Sequence, residues 1–422
     1  MLETLVQGLA DAFEWNPVAP LPRSVDQWVT RIRGALGSSS DVIARQFTAG
    51  RSRQRAVVVY LDGMVDTRMV DQDIIAQLQQ APAALDGGFA VDAFLAVSSV
   101  EVSADLSKII DGILSGHAAL FCHGNPCTYI VDARGYKARS PEQPTTERTI
   151  LGSKEAFVEP LRTNTTMIRR RIQSRHLQMV ELRVGDLSPA AVAVVYLGNI
   201  ARPSLVKAIL SRLRAIRADS VLTSAALAAH LQGDQASPFP QVERTERPEV
   251  VSQEVLNGRV CVLLENDPFA ILLPTTFWDM LQAHGDYTQS AWGATFVRSV
   301  RAAALFFVAT GPGLYCALVM VHLDLIPHDL ALTIVAGRQG LPVPAPLEYA
   351  FLILLFEILR EVSIRIPQSL GPTIGVVGGI VLGQAVVQSG IASAPLIVVV
   401  SLVGLSLFTA PHYQLVVSNR YV

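Results

Sequence analysis

Residues 366–419 contain no Asp, Glu, Lys or Arg, and residues 302–321 form a second uncharged run. A helix rising about 1.5 Å per residue needs roughly 20 such residues to cross a hydrocarbon core about 30 Å thick, so both runs read as membrane sequence. Between them lies a helical, mostly apolar pattern from 344 to 367. It carries Glu348, Glu357, Arg360, Glu361 and Arg365. Charges at membrane depth are costly unless they face protein or water. This charged helix is therefore the first candidate for function.

Composition divides the chain in two. Only 17% of the 422 residues are charged and mean hydropathy is +0.37, yet almost every charge precedes Arg301. A net charge of −2 gives no basic field for nucleic acid. The N-terminus lacks the basic and apolar regions of a signal peptide, so residues before about 300 are expected in the cytoplasm. Cys122, Cys127, Cys261 and Cys316 form no CxxC or Cys/His cluster. They read as reduced structural thiols, with no metal or cofactor expected.

In chain order, residues 1–50 read as short helices, one capped by Ser24 and ending near Leu36, another capped by Ser40 or Asp41 and ending near Phe47. Residues 55–61 form a buried strand, Asp62-Gly63 a turn, 67–80 a helix, and 117–122 with 128–132 a hairpin through Gly124-Asn125-Pro126. The plan returns as strand 190–197, turn Gly198-Asn199, helix 204–217 and strands 258–264 and 269–273 flanking Asp267-Pro268. Tyr60 and Tyr196, Gly116 and Gly258, and Pro126 and Pro268 correspond at offsets of 136 to 142. Two α/β subdomains of related plan follow from an internal duplication, the alternative being independent units of similar form. Between them 154–172 reads as a helix capped by Ser153 and kinked or restarted at Pro160. Its Arg169-Arg170-Arg171 suits an anionic ligand, or a solvated face making ion pairs.

The proline-punctuated stretch 238–248 ends in Thr245-Glu246-Arg247-Pro248, read as an ordered connector with Glu246 and Arg247 in ion pairs. Trp278 and Tyr287, then Trp292, Arg298 and Arg301, read as an interfacial belt with its basic residues on the cytosolic side. The expected spans are 302–322, 347–366, 373–391 and 395–411. Gly311-Pro312-Gly313 is expected to interrupt the first span, and 324–344 to lie outside or at the far interface. Glu357, Glu361 and Arg365, at i, i+4 and i+8, make one polar stripe with Arg360 beside it. It suits a buried or water-lining position, or a helix lying on the membrane surface. Gly375, Gly379 and Gly383 permit close helix packing, and Gln384 and Gln388 suit interhelical hydrogen bonds. The domains are then 1–50, 51–150, 151–295 and 296–422, an α/β module of two related subdomains followed by an α-helical transmembrane domain with both ends in the cytosol.

The chain resembles the GerA/SpoVAF family, the A-type subunits of bacterial spore germinant receptors. The matching landmarks include Val59 to Gly63, Ser115-Gly116, Glu155 to Glu159, Asn164, Ile168 to Arg171 and Pro240-Gln241. They continue with Thr245 to Pro248, Gly258-Arg259, Asp267-Pro268, Pro274, Asp286-Tyr287, Arg298 and Arg301. In the last third they are His322 to Pro327, Pro342 to Pro344, Glu348, Leu359 to Glu361, Arg365 to Pro367 and Gly383 to Val386. The resemblance implies a multi-pass protein of the spore inner membrane that forms a homo-oligomer and works with a transporter-like B-type and a lipoprotein C-type subunit. Membrane lipid, and not nucleic acid, is its other partner. It implies an ion channel or its gate, for which Glu348, Glu357, Arg360, Glu361 and Arg365 are the candidates; the alternatives are a SpoVAF-type accessory channel or a non-conducting scaffold. The family continues past the equivalent of His412-Tyr413 with more apolar sequence, so a C-terminal truncation is expected here. A secondary transporter would need inverted repeats, which the four spans do not suggest. No nucleophile–base pair, metal spacing or phosphate loop suggests an enzyme. His117, His123, His284 and His322 read as polar surface or interface residues.

Overall fold

The computed structural model describes residues 22–37, 39–50, 53–81, 97, 99–125, 127–135, 153–233, 237, 239–288, 290–339, 341, 343–365 and 383–418. The chain divides into two compact units. One is Met1–Gln235 with Gln241–Thr275, the other Ala236–Pro240 with Thr276–Val422.

The first unit holds two five-stranded antiparallel sheets. In the first half, α1 (Val25–Leu36) is followed by β1 (Val42–Ala49) and β2 (Gln54–Leu61). Helix α2 follows, made of an α turn (Thr67–Met69), a π segment (Val70–Ile75) and a closing α turn (Ala76–Gln79). Then come β3 (Val100–Ser103), α3 (Leu106–Leu114), β4 (Ala118–Cys122) and β5 (Thr128–Val131). The second half has α4 (Leu161–Arg171), β6 (Leu177–Val184), β7 (Ala190–Leu197), α5 (Pro203–Ala215) and α6 (Ser224–Leu231). It closes with β8 (Glu243–Thr245), α7 (Pro248–Leu256), β9 (Val260–Leu264) and β10 (Ala270–Leu273). The strand orders are β1-β2-β4-β5-β3 and β6-β7-β9-β10-β8, one plan used twice. In the second sheet β7 and β9 bury alternate residues on both faces. Val192, Val194, Val260 and Val262 meet α5 and α6, and Ala193, Val195, Cys261 and Leu263 meet α4 and α7. Burial on both faces explains why these strands are unbroken apolar runs.

Three expectations are corrected here. The helix expected from Ser40 or Asp41 to Phe47 is the strand β1, paired with β2 from Val42↔Leu61 to Ala49↔Gln54. The supposed cap does another job. Asp41 is buried and binds Arg169, which donates from Nε (2.9 Å) and Nη2 (3.0 Å). Arg169 also donates to Ser39 Oγ (3.1 Å) and the Leu177 carbonyl (3.2 Å), and the Ser40 N–H reaches the Met179 carbonyl (2.8 Å). The second correction follows: Arg169 is 2% exposed, and Arg170 and Arg171 pair with Glu155. The triplet is thus no anion site: Arg169 is an internal ion-pair partner, while the exposed Arg170 and the partly buried Arg171 make the expected ion pairs with a glutamate. Third, the helix expected from 154 starts at Leu161. Pro160 stands at its N-cap in extended conformation, as a residue that disfavours helix before it must. The stretch before it is held by Asn164, whose Oδ1 accepts the Val158 N–H (2.8 Å), and by the Phe157 N–H on the Glu246 carbonyl (2.8 Å).

Gly37 shows how tightly the two halves are joined. Its φ is +73° and ψ −174°, backbone that glycine alone adopts without strain, and a Cβ there would push aside the Gln178 amide, which donates to the Leu36 carbonyl at 3.1 Å. Burial raises the Cys122 thiol to about 12 and also pushes Cys261 up; all four cysteines are free.

The second unit is helical. It comprises α8 (Phe277–Met280), a 3₁₀ turn (His284–Thr288), α9 (Ala291–Met320), a 3₁₀ turn (Leu323–Leu325), α10 (His328–Arg338), α11 (Ala345–Arg365), helical residues 383–388, α12 (Ala394–Leu407) and α13 (Tyr413–Ser418). The first expected span is longer than its uncharged run, since α9 has 30 residues and begins at Ala291. It is also unbroken. Pro312 removes one ladder hydrogen bond, but Gly311 and Gly313 beside it carry no side chain to crowd the ring, and the helix runs through. Among the described residues α9 is the one helix long and apolar enough to cross a membrane. Helix α12 has 14 residues and α11 carries the charges already named. Most of the expected span 373–391, with Gly375 and Gly379, lies outside the described residues; Gly383 lies in the helical stretch 383–388 with open space around it.

Removing one partner from a buried ion pair leaves an uncompensated charge and costs about 3–5 kcal/mol. Asp41→Ala should therefore lower the midpoint of denaturant unfolding followed by the emission of Trp28, which is fully buried and stacked on Phe121. An unchanged midpoint would show that Arg169 contributes no such weld.

Candidate functional site

The charges of the second unit gather at two places and along one helix. The first place is the elbow before α9. The Asp286 carboxylate is 2% exposed. It accepts from Arg301 Nη1 (2.6 Å) and Nη2 (3.0 Å), from Arg298 Nε (3.4 Å) and from the Ala283 N–H (3.0 Å). Arg301 also donates to the Leu281 carbonyl (3.2 Å), and the Arg298 guanidinium lies over the Tyr287 ring, 5.1 Å from its centre. Burial raises the Asp286 pKa, but the hydrogen bonds and charge of Arg301, with help from Ala283 and Arg298, outweigh it and hold the group below its ordinary value. Met280, Leu281, Leu305 and Leu415 pack together below the clamp. The His412 ring meets the Gln282 carbonyl at 3.1 Å, so the segment before α13 closes on the base of α9.

The second place joins α10, α11 and α12. Glu348, 1% exposed, accepts at Oε1 from the Ser393 N–H (2.5 Å) and hydroxyl (2.6 Å), and its Oε2 lies 3.4 Å from Arg338 Nη1. Ser393 is the N-cap residue of α12, where free N–H groups and the helix dipole favour an anion. Leu352, Val386, Leu396 and Val400 pack beside this staple, with Tyr315 and Tyr349 against them.

Along α11, Glu348 is separated from the other candidates. With 3.6 residues per turn, Leu347, Phe351, Leu354, Ile358, Glu361 and Val362 share one side, and all six are exposed. Glu357 flanks that side and accepts from Arg360 Nη2 (3.0 Å). Glu348 and Leu352 lie on the packed side. The Arg365 side chain lies outside the described residues.

The connector is in the first unit. Thr245 ends β8, its Oγ1 accepting the Arg247 N–H (3.1 Å). Arg247, 1% exposed, donates to the Ser153 carbonyl (2.7 Å) and pairs with Glu249. Pro248 opens α7, the position that wants a residue without an N–H. Glu246 is buried and lends its carbonyl to Phe157. This set braces backbone.

Sequence reasoning missed Ser393 and Arg338 as partners of Glu348, and the Asp286 clamp as a unit. Arg338 carried a signal, being the one basic residue between Arg301 and Arg360. A lone cation in apolar sequence requires a nearby anion.

The family model described as Bacillus/Clostridium GerA spore germination protein matches residues 30–422. The chain belongs to the GerA family. Among GerA relatives, the uncharacterized membrane protein YfkQ of Bacillus subtilis is 34% identical over 98% of this chain and 80% of its own length. Spore germination protein B1 of the same organism is 33% identical over 90% of this chain and 80% of its own length. Spore germination protein A1 is 37% identical over 74% and 65%. The crystal structure of the N-terminal domain of the A subunit of the Bacillus megaterium spore germinant receptor GerK3 aligns with a TM-score of 0.49 at 26% identity, covering 62% of this chain and 99% of that one.

Because the folded-state pKa of Asp286 is depressed, its stabilisation is complete above the unfolded value of about 3.9. It is lost as pH falls through the lower folded value. Asp286→Asn in the full chain should lower the thermal midpoint at neutral pH. It should also flatten the fall in that midpoint on acidification below about pH 4. Parallel pH curves for parent and variant would show that the clamp does not stabilise the elbow.

Proposed function

We propose that this chain is an A-type subunit of a spore germinant receptor, and that copies of it assemble around α11 to form or gate a cation pathway. In this reading the second unit crosses the spore inner membrane several times and the first unit stays in the cytoplasm. The transporter-like B-type and lipoprotein C-type subunits are its partners. The observation that carries the reading is the exposed side of α11. Leu347, Phe351, Leu354 and Ile358 present an apolar stripe that stays exposed among the described residues, and the stripe runs into Glu361 with Glu357 at its flank. Apolar residues at this spacing suit helix-to-helix packing between copies. A carboxylate repeated around the resulting ring favours cations. Glu348 has a different part, binding α12 and α10 to α11 within one copy. Membership in the GerA family and the naming of relatives as spore germination proteins and a membrane protein support the reading.

The test is ion flux from liposomes holding the purified chain, with oligomeric state measured in the same detergent. An oligomer that conducts, with cation flux reduced by Glu361→Gln, is the expected result. Flux unchanged in rate and selectivity by both Glu357→Gln and Glu361→Gln would remove the pore role from α11. A silent monomer would move the non-conducting scaffold ahead.

A further inference from the structure

Helix α9 has two opposed sides along its first turns. At 3.6 residues per turn, Ala294, Arg298, Arg301 and Leu305 fall on one side, where Ala294 and Leu305 are buried and both arginines bind Asp286. Trp292, Phe296, Val300, Phe306 and Leu314 fall on the other, and all are exposed, Trp292 at 89% and Phe296 at 70%. The elbow before α9 adds Phe277, Trp278 and Tyr287, also exposed, with the Phe277 and Trp278 rings edge to face at 5.9 Å. Phe277, Trp278, Tyr287, Trp292 and Phe296, five of these six exposed aromatic rings, thus stand open around a clamp in which Arg301 is largely buried and Arg298 partly so.

Length places these rings. The 30 residues of α9 extend about 45 Å, against a hydrocarbon core of about 30 Å. If residues 302–320 fill the core, the turns bearing Trp292, Phe296 and Val300 project past it at headgroup level, where Trp and Tyr favour the boundary between apolar and wet surroundings. A helix entering the cytosolic face of a membrane ordinarily attaches through Lys and Arg to anionic headgroups. Here Asp279 and Asp286 together balance Arg298 and Arg301, so residues 277–301 carry no net charge, and Asp286 holds both arginines in ion pairs.

We infer that residues 277–300 form an aromatic collar that seats in the headgroup–acyl boundary of the lipid bilayer and holds there through ring burial, without drawing on anionic lipid. The inference rests on the membrane reading of α9 given above. It commits to lipid as the occupant because the exposed side of the collar continues, residue by residue, into the exposed apolar side of the span.

The test uses the full chain reconstituted in phosphatidylcholine vesicles. Bromine is carried either near the carbonyl end or near the methyl end of the acyl chains, with and without phosphatidylglycerol. Of the four tryptophans, Trp15 is replaced by Phe in parent and variants alike, and Trp28 is fully buried and out of reach of the bromines. The expected result is stronger quenching by the shallow bromines, equal in both lipid compositions and at low and high salt. Trp278→Phe and Trp292→Phe should each remove part of it, and the double variant should lose it relative to the parent. A chain that floats with the vesicles and resists alkaline extraction, yet keeps Trp278 and Trp292 unquenched, overturns the collar and leaves the membrane reading standing. Quenching that appears only with phosphatidylglycerol, or that is stronger from the deep bromines, also overturns it. A chain that does not float removes the collar and the membrane reading together.

Discussion

Ionised groups leave water only in company, and each fixed point described here is a charge that has found a buried partner. Arg169 with Asp41 welds the two sheets, and Arg247 with Glu249 braces the turn into α7. Asp286 with Arg301 and Arg298 shapes the elbow, and Glu348 with Arg338 and Ser393 gathers three helices. Such pairs add little net stability compared with well-packed apolar residues, but they are severe when half-broken. Their value lies in restricting which arrangements are allowed. A shifted register of β1 would move Asp41 away from Arg169, and a sliding α12 would leave the Glu348 carboxylate facing hydrocarbon.

The same rule explains what could be read in advance. The central strands β2, β7 and β9 are visible in the sequence because burial on both faces leaves each an unbroken buried run, Ala56–Leu61, Val192–Leu197 and Val260–Leu264, with no charged residue in it. Helix α5 and the β4–β5 hairpin were equally clear, marked by periodicity and by Gly124-Asn125. The edge strands β1 and β6 were not, because exposed polar residues interrupt their apolar runs and their patterns, such as Val42-Ile43-Ala44-Arg45, suit a helix as well. Asp41 made matters worse, since an Asp before an apolar run has the form of a cap and only the fold shows that Arg169 claims it.

In the helical unit, composition located α9 and α11, with the ends of α11 to within two residues, but not the start of α9. The uncharged run of α9 begins where the arginines stop, whereas the helix continues through them because Asp286 pairs both. Charge balance between distant residues has no local signature, so the clamp and the Glu348 staple stayed hidden while their members were each noticed singly. The candidate stripe of α11 was legible as a period. Its separation from Glu348 needed the packing of α12 to be seen.

Pro312 makes α9 mechanically uneven. It has no N–H, so the Val308 carbonyl four residues earlier lacks its regular partner in α9. One ladder bond in the middle of a 30-residue rod is therefore absent before any force is applied. Bending elsewhere along α9 must stretch an existing bond, and bending at this turn need not. The part that carries the aromatic rings and the part that meets Tyr349 and Leu352 are thus two levers on one pivot, and tilt imposed at either end is taken up at Pro312 first.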